Sequence, residues 1–185
     1  MIRSLAVCAV LLLLASAAAA QTTAPASPPP ALPNCNAPAH HAFDFWIGEW
    51  DAYVTGTNNL AGHSTIAAED QGCVITEHWR SVQQNYSGRS LNIYDRASNK
   101  WEQFWVDSTG GRTLYIGGPL PSGEMRIVAD YPPSAPTPPN QPRPRYTRMT
   151  YTANPDHSVR QHGENSVDGQ TWTDAFDFTY RPHHD

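Results

Sequence analysis

Between residues 43 and 181, apolar and polar positions alternate in short runs separated by turn-forming clusters. That period of two is the signature of half-buried β-strands. Ten extended runs are predicted: 43–54, 62–69, 72–80, 88–95, 99–107, 111–117, 123–131, 145–153, 157–164 and 170–181. Their borders carry turn chemistry, as in Asp70-Gln71-Gly72, Thr109-Gly110-Gly111, Asn154-Pro155-Asp156 and Val167-Asp168-Gly169. No amphipathic helix of ordinary length is visible; a short helical turn is expected only just before Trp46. Ten short strands joined by tight turns predict an all-β fold, an antiparallel up-and-down β-barrel whose closure removes both sheet edges.

The densest aromatic stretch, Phe43-Asp44-Phe45-Trp46-Ile47-Gly48-Glu49-Trp50-Asp51, opens this pattern. If extended, it puts Phe43, Phe45 and Ile47 on one face and Trp46, Gly48 and Trp50 on the other. Both faces are then partly apolar, as suits a first strand packed on each side. Gly48 leaves room for a close approach. Trp50 is large enough to plug one end of the barrel, with an indole N–H that needs a buried acceptor. Pro132–Pro144 holds seven prolines in thirteen residues and cannot be a paired central strand. It is expected to be a surface loop between the seventh and eighth strands.

In the middle strands, polar and aromatic residues share faces: Glu77 with Trp79, Ser90 with Asn92 and Tyr94, and Trp101 with Gln103, Trp105 and Asp107. Turned inward, these faces line a pocket with aromatic walls, several hydrogen-bonding groups and few charges. The opposite assignment buries Leu91, Ile93, Phe104 and Val106 in an ordinary apolar interior. The polar-inside assignment is preferred, because outward Tyr94, Trp101 and Trp105 would expose much aromatic surface.

Gly48-Glu49-Trp50 resembles the Gly-x-Trp signature of lipocalin-like (calycin) barrels. The longer string from Phe43 to Asp51 resembles a family of bacterial DUF1579-type proteins. Gly72-Cys73, Glu77-x-Trp79, Tyr94-Asp95, Trp101-x-Gln103-x-Trp105-Val106-Asp107 and Asp168-Gly169-x-Thr171-Trp172 extend that likeness over about residues 43–181. The resemblance implies an antiparallel barrel and assigns no activity or catalytic residue.

Met1-Ile2-Arg3 followed by Ser4–Ala15 reads as the basic and apolar parts of a signal peptide, with Ala18-x-Ala20 as the cleavage motif. The apolar core is too short for a comfortable membrane span. A periplasmic or secreted protein is expected, with a proline-rich linker over 21–42 and one barrel domain over 43–185. Cleavage would also remove Arg3, making the net charge of −5 one unit more negative. That argues against nucleic acid or an anionic membrane surface as partner. Cys8 leaves with the leader. Cys35 and Cys73 remain in an oxidising compartment, and a disulfide is the economical reading over two free thiols or a metal site.

Glu77 invites two readings, a buried general acid/base with a raised pKa or a carboxylate satisfied by hydrogen bonds, Arg148 and Arg160 being candidate ion partners. Asp107, before Ser108-Thr109-Gly110-Gly111, reads as a turn former. His40-His41 precede the first strand and His183-His184 follow the last. In an even-stranded closed meander these ends share a rim, so the four imidazoles are candidate ligands for zinc, copper or nickel. Some calycin-like barrels hold haem through one late-strand histidine, so the resemblance makes His162 the candidate haem ligand; His78 also falls within a run, and a lone strand histidine is more often structural or exposed. No Gly-x-Ser-x-Gly or His-Glu-x-x-His motif is present. The leading expectation is a barrel that binds a small, partly apolar molecule, with Glu77, Asn92, Tyr94, Gln103, Trp105 and Arg148 as wall residues. The alternatives are an isomerase- or hydratase-like enzyme using Glu77, and an interaction protein with a filled interior.

Overall fold

The computed structural model describes residues 34–131 and 144–184. The expected signal peptide and most of the expected linker and proline-rich loop lie outside the described residues. Ten antiparallel strands close into one barrel in meander order. They are β1 (Gly48–Val54), β2 (Leu60–Glu69), β3 (Val74–Ser81), β4 (Ser87–Asp95), β5 (Lys100–Asp107), β6 (Arg112–Pro119), β7 (Met125–Asp130), β8 (Tyr146–Ala153), β9 (Val159–Ser166) and β10 (Thr173–Pro182). The seam is the β1–β10 pair, with Trp50 opposite Pro182 and Val54 opposite Phe178. No helix among the described residues is long and apolar enough to cross a membrane.

The first expected run is corrected at its start. Residues 43–47 are not strand: Asp44–Trp46 is a 3-10 turn, preceded by another over Pro38–His41. Three residues per turn put positions i and i+3 on one side. Phe43 and Trp46, which an extended chain would send to opposite faces, therefore stack on each other at 5.0 Å. Both are fully buried. Phe43 meets the edges of Tyr151 and Trp101, and Trp46 packs on Tyr151 at 4.8 Å. Trp50 adds to this cluster, and its indole N–H donates to the Trp46 carbonyl at 2.9 Å. The Trp101 indole donates to the Ala39 carbonyl at 3.1 Å. The aromatic segment thus caps one end of the barrel, at the rim where β1 begins and β10 ends.

A disulfide joins Cys35 to Cys73, just before β3. It ties the capping segment to the same rim and suits an oxidising compartment.

Inside the strands, the polar-inside assignment holds. Ile75, Glu77, Ser90, Asn92, Trp101 and Gln103 are buried. Leu91, Ile93, Phe104, Val106, Leu114 and Ile116 are exposed on the outer face of β4–β6, Leu91 to 55%. Leu91, Phe104 and Leu114 are direct cross-strand neighbours there, and such pairs support the ladder from the solvent side.

Candidate functional site

Glu77 sits on β3 with 3% of its surface exposed. Ser90 donates to one carboxylate oxygen at 2.9 Å, and Ser64 reaches the other at 3.4 Å. Register explains both contacts: Ser90 is the cross-strand partner of Glu77 on β4, and Ser64 lies diagonally across on β2. Burial pushes the carboxyl up from 4.5 to about 7, and the two hydroxyls only partly offset it. The loss of hydration therefore outweighs two hydrogen bonds.

From Glu77 a chain of hydrogen bonds runs around the interior. Asn92 donates to Ser90 at 3.0 Å, and Gln103 donates to Asn92 at 2.8 Å. Gln103 and Gln161 both donate to the Tyr151 hydroxyl, at 3.3 and 3.0 Å. Tyr180 donates to Gln161 at 2.6 Å. The Tyr151 and Tyr180 hydroxyls are held protonated by burial first and by the Glu77 charge second. This belt uses β3, β4, β5, β8, β9 and β10. On one side of it lies the aromatic cap.

On the other side is a cavity of about 350 Å³. Glu77, Gln103, Gln161 and Tyr180 form its floor, and Trp79, Trp105, Tyr115, Phe176 and Phe178 its walls. Ser81, Gln83 and Gln84, at and beyond the end of β3, line it on the side away from the cap. Among the described residues, no Lys, Arg or His lines this cavity.

Two glycines keep the cavity open. A Cβ at Gly88 would stand 2.1 Å from the Trp105 ring, and one at Gly163 would stand 2.2 Å from Phe176. The rings lie flat over the neighbouring strand because nothing projects there, so they form wall instead of filling the lumen. Gly48 serves the cap similarly: a Cβ there would meet the Trp50 indole at 3.0 Å.

Glu77, Gln103 and Trp105 line the cavity. Asn92 is buried within the floor, where it donates to the Ile75 carbonyl at 2.9 Å. Tyr94 is not a wall residue; its hydroxyl donates to Asn99 at 3.0 Å, near the capped end. Arg148 is outside, because its strand position has the opposite parity to the inward-facing Met149 and Tyr151. It forks onto Glu164 at 2.6 and 2.7 Å and lies over the Trp172 ring. Arg160 likewise engages Asp177, so neither arginine pairs with Glu77. Asp107 accepts from the Thr109 and Gly111 backbone N–H groups, as a turn former does.

The four terminal histidines do not converge. His40 is buried in the cap against the Tyr94 ring, and its pKa is lowered by burial, then by the Arg96 charge. His41 pairs with Asp44 at 2.7 Å, the i,i+3 spacing of the 3-10 turns bringing them together. His183 bonds Asp51 at 2.8 Å, while His184 is exposed. His162 faces outward to Asp174 at 2.8 Å, so it cannot ligate a haem inside the barrel; His78 is exposed.

The residues missed from the sequence include Tyr115, Gln161, Phe176, Phe178 and Tyr180. Their signal was present, since Phe176, Phe178 and Tyr180 alternate within one run. No protein-family model matches the chain, and no curated protein matches it in sequence.

Proposed function

We propose that this protein is a periplasmic or secreted binding module whose barrel holds one small, partly apolar molecule. The resemblance to DUF1579-type, calycin-like proteins belongs to the same reading. One observation carries it: among the described residues, a single carboxyl lies at the floor of an otherwise uncharged cavity walled by aromatic rings. The volume, about 350 Å³, is at the small end of the range for ligand pockets. A ligand that fits has a flat or apolar body toward Trp79, Trp105 and Phe178, and a hydrogen-bond donor toward Glu77. A carboxylate has about four acceptor positions, and the two serines use two of them. A ligand-sized cavity argues against the filled interior of a purely structural protein.

The test uses N-phenyl-1-naphthylamine, a neutral apolar fluorophore with one N–H donor. Its fluorescence should saturate at one equivalent, quench Trp79 and Trp105, and weaken on Glu77→Ala. The absence of saturable binding by this probe, together with a ligand-free mass for protein purified from its native compartment, overturns the reading.

The second reading is an isomerase- or hydratase-like enzyme with Glu77 as acid/base, favoured by a carboxyl held near 7, where it exchanges protons readily. Among the described residues, the other titratable side chains on the cavity lining are tyrosines, and the pKa values of Tyr86, Tyr115 and Tyr180 are all raised. That leaves Glu77 without a second group tuned near neutrality and ranks binding ahead of catalysis. A co-purified molecule that interconverts with an isomer or hydrate on wild-type protein, but not on Glu77→Gln, would reverse the ranking.

A further inference from the structure

We propose that Asp51, His63 and His183 form a binding site for a divalent transition-metal ion of the zinc type, on the outside of the barrel at its seam. Their ligand atoms all lie within 4.8 Å of one another. Asp51 Oδ1 stands 2.6 Å from His63 Nδ1 and 2.8 Å from His183 Nδ1. Two donors on one tetrahedral zinc sit about 3.3 Å apart, given metal–ligand bonds of about 2.0–2.1 Å. The two pairs therefore have to open by about 0.5–0.7 Å, within the reach of side-chain rotation.

The backbone beneath is fixed. Asp51 and His63 are register partners across β1 and β2. His183 follows β10, and its N–H donates to the Glu49 carbonyl at 2.9 Å. In the hydrogen-bonded arrangement each Nδ1 carries the proton that Asp51 accepts. Ligation moves each ring to its Nε2–H tautomer, and the cation replaces both hydrogen bonds without net loss of a proton. Side-chain exposures of 19% for Asp51, 46% for His63 and 36% for His183 leave an entry path and a coordination position for water. Two imidazoles and one carboxylate suit zinc, copper and nickel better than calcium or magnesium.

A second cluster, His162, Glu164 and Asp174, shows what this one avoids. There Arg148 forks onto Glu164 and already occupies its charge, and the His162–Glu164 distance is 3.9 Å. Arg181, the register partner of Asp51, is turned aside over the Tyr53 ring. The site links β2, β1 and the end of β10, so a bound ion clips the strands that close the barrel. It is separate from the cavity, because Asp51 points outward where Trp50 and Ala52 point in.

The test is calorimetric titration of the untagged chain with Zn²⁺, alongside Asp51→Asn, His63→Ala, His183→Ala and, as a control, His162→Ala. One equivalent should bind with a Kd below about 100 μM. Each of the first three variants should weaken binding at least about tenfold, and the control should not. The melting temperature of the wild type should rise with Zn²⁺. Absent or non-stoichiometric binding, binding that survives His63→Ala and His183→Ala, or binding lost in His162→Ala overturns the proposal. Should a variant fail to fold, Cu²⁺ on the wild type decides: its paramagnetic resonance spectrum must show two nitrogen ligands, and a spectrum without them overturns the site.

Discussion

Glu77 couples proton binding to folding more directly than any other cavity group. Its carboxyl titrates at 4.5 when unhindered and near 7 when buried. A raised acid favours the fold while it is protonated. That advantage is complete below the unfolded value and is lost as pH climbs through the folded one. The shift corresponds to about 3 kcal/mol across pH 4.5 to 7. Asp51, Glu164 and Asp177 have lowered values and act in the opposite sense, losing their contribution as pH falls through their folded values. Urea unfolding of wild type and Glu77→Gln at pH 4.5 and 7.5 should therefore show the wild type losing about 3 kcal/mol relative to the variant at the higher pH. An equal gap at both pH values would mean that folding leaves the Glu77 pKa unshifted. The sequence made Glu77 a candidate through the period of two, but not its partners. Ser64 belongs to a different run, and only the β2–β3 register brings its hydroxyl to the carboxylate.

At the scale of elements, the cavity depends on pairing a small residue with a ring on the next strand. Gly88→Ala forces Trp105 off the β4 surface and toward the lumen. Overpacking of this kind costs about 1–3 kcal/mol. The variant should also bind N-phenyl-1-naphthylamine at least about tenfold more weakly, a loss of about 1.4 kcal/mol. Unchanged affinity would show that the ring finds room elsewhere. The disulfide acts on another element, the 3-10 segment before β1. It spans a sequence separation of 38, and loop-closure entropy assigns it about 4 kcal/mol. Replacing both cysteines by serine should lower stability by an amount of that order, measured by denaturant unfolding, with the strands retained by circular dichroism. A loss below about 0.5 kcal/mol would mean that the cap holds without the crosslink.

For the whole molecule, one end of the barrel is filled and the cavity lies beyond the polar belt. Trp50 joins the cap to the seam, bonding Trp46 and packing edge-on to Tyr180. Trp50→Ala should cost about 3–5 kcal/mol. An unchanged melting temperature would show that Phe43 and Trp46 hold the cap alone. The outer face of β4–β6 carries the complementary consequence of this architecture: with Ser90, Asn92 and Gln103 inside, Leu91, Phe104 and Leu114 must face out. Strand parity leaves no other arrangement.

The alternation along the chain, its turn residues and the two cysteines beyond the expected leader were enough to read ten antiparallel strands, a closed meander and the Cys35–Cys73 bond, because each rests on local geometry or simple pairing. Sequence also placed Glu77, Gln103 and Trp105 on the strand faces that line the cavity, since residues two apart share a face whatever lies opposite. The short helical turn named before Trp46 is present, but the extended reading of residues 43–47 is overturned, because a run of apolar residues satisfies both an extended and a 3-10 period and only packing of Phe43 and Trp46 against Tyr151 selects between them. Arg148 was misplaced for a related reason. Charge alone does not say which carboxylate it meets, and the β8–β9 register puts Glu164 directly across from it. The meeting of Asp51, His63 and His183, separated by up to 132 positions in the chain, is likewise decided by barrel closure and by nothing local.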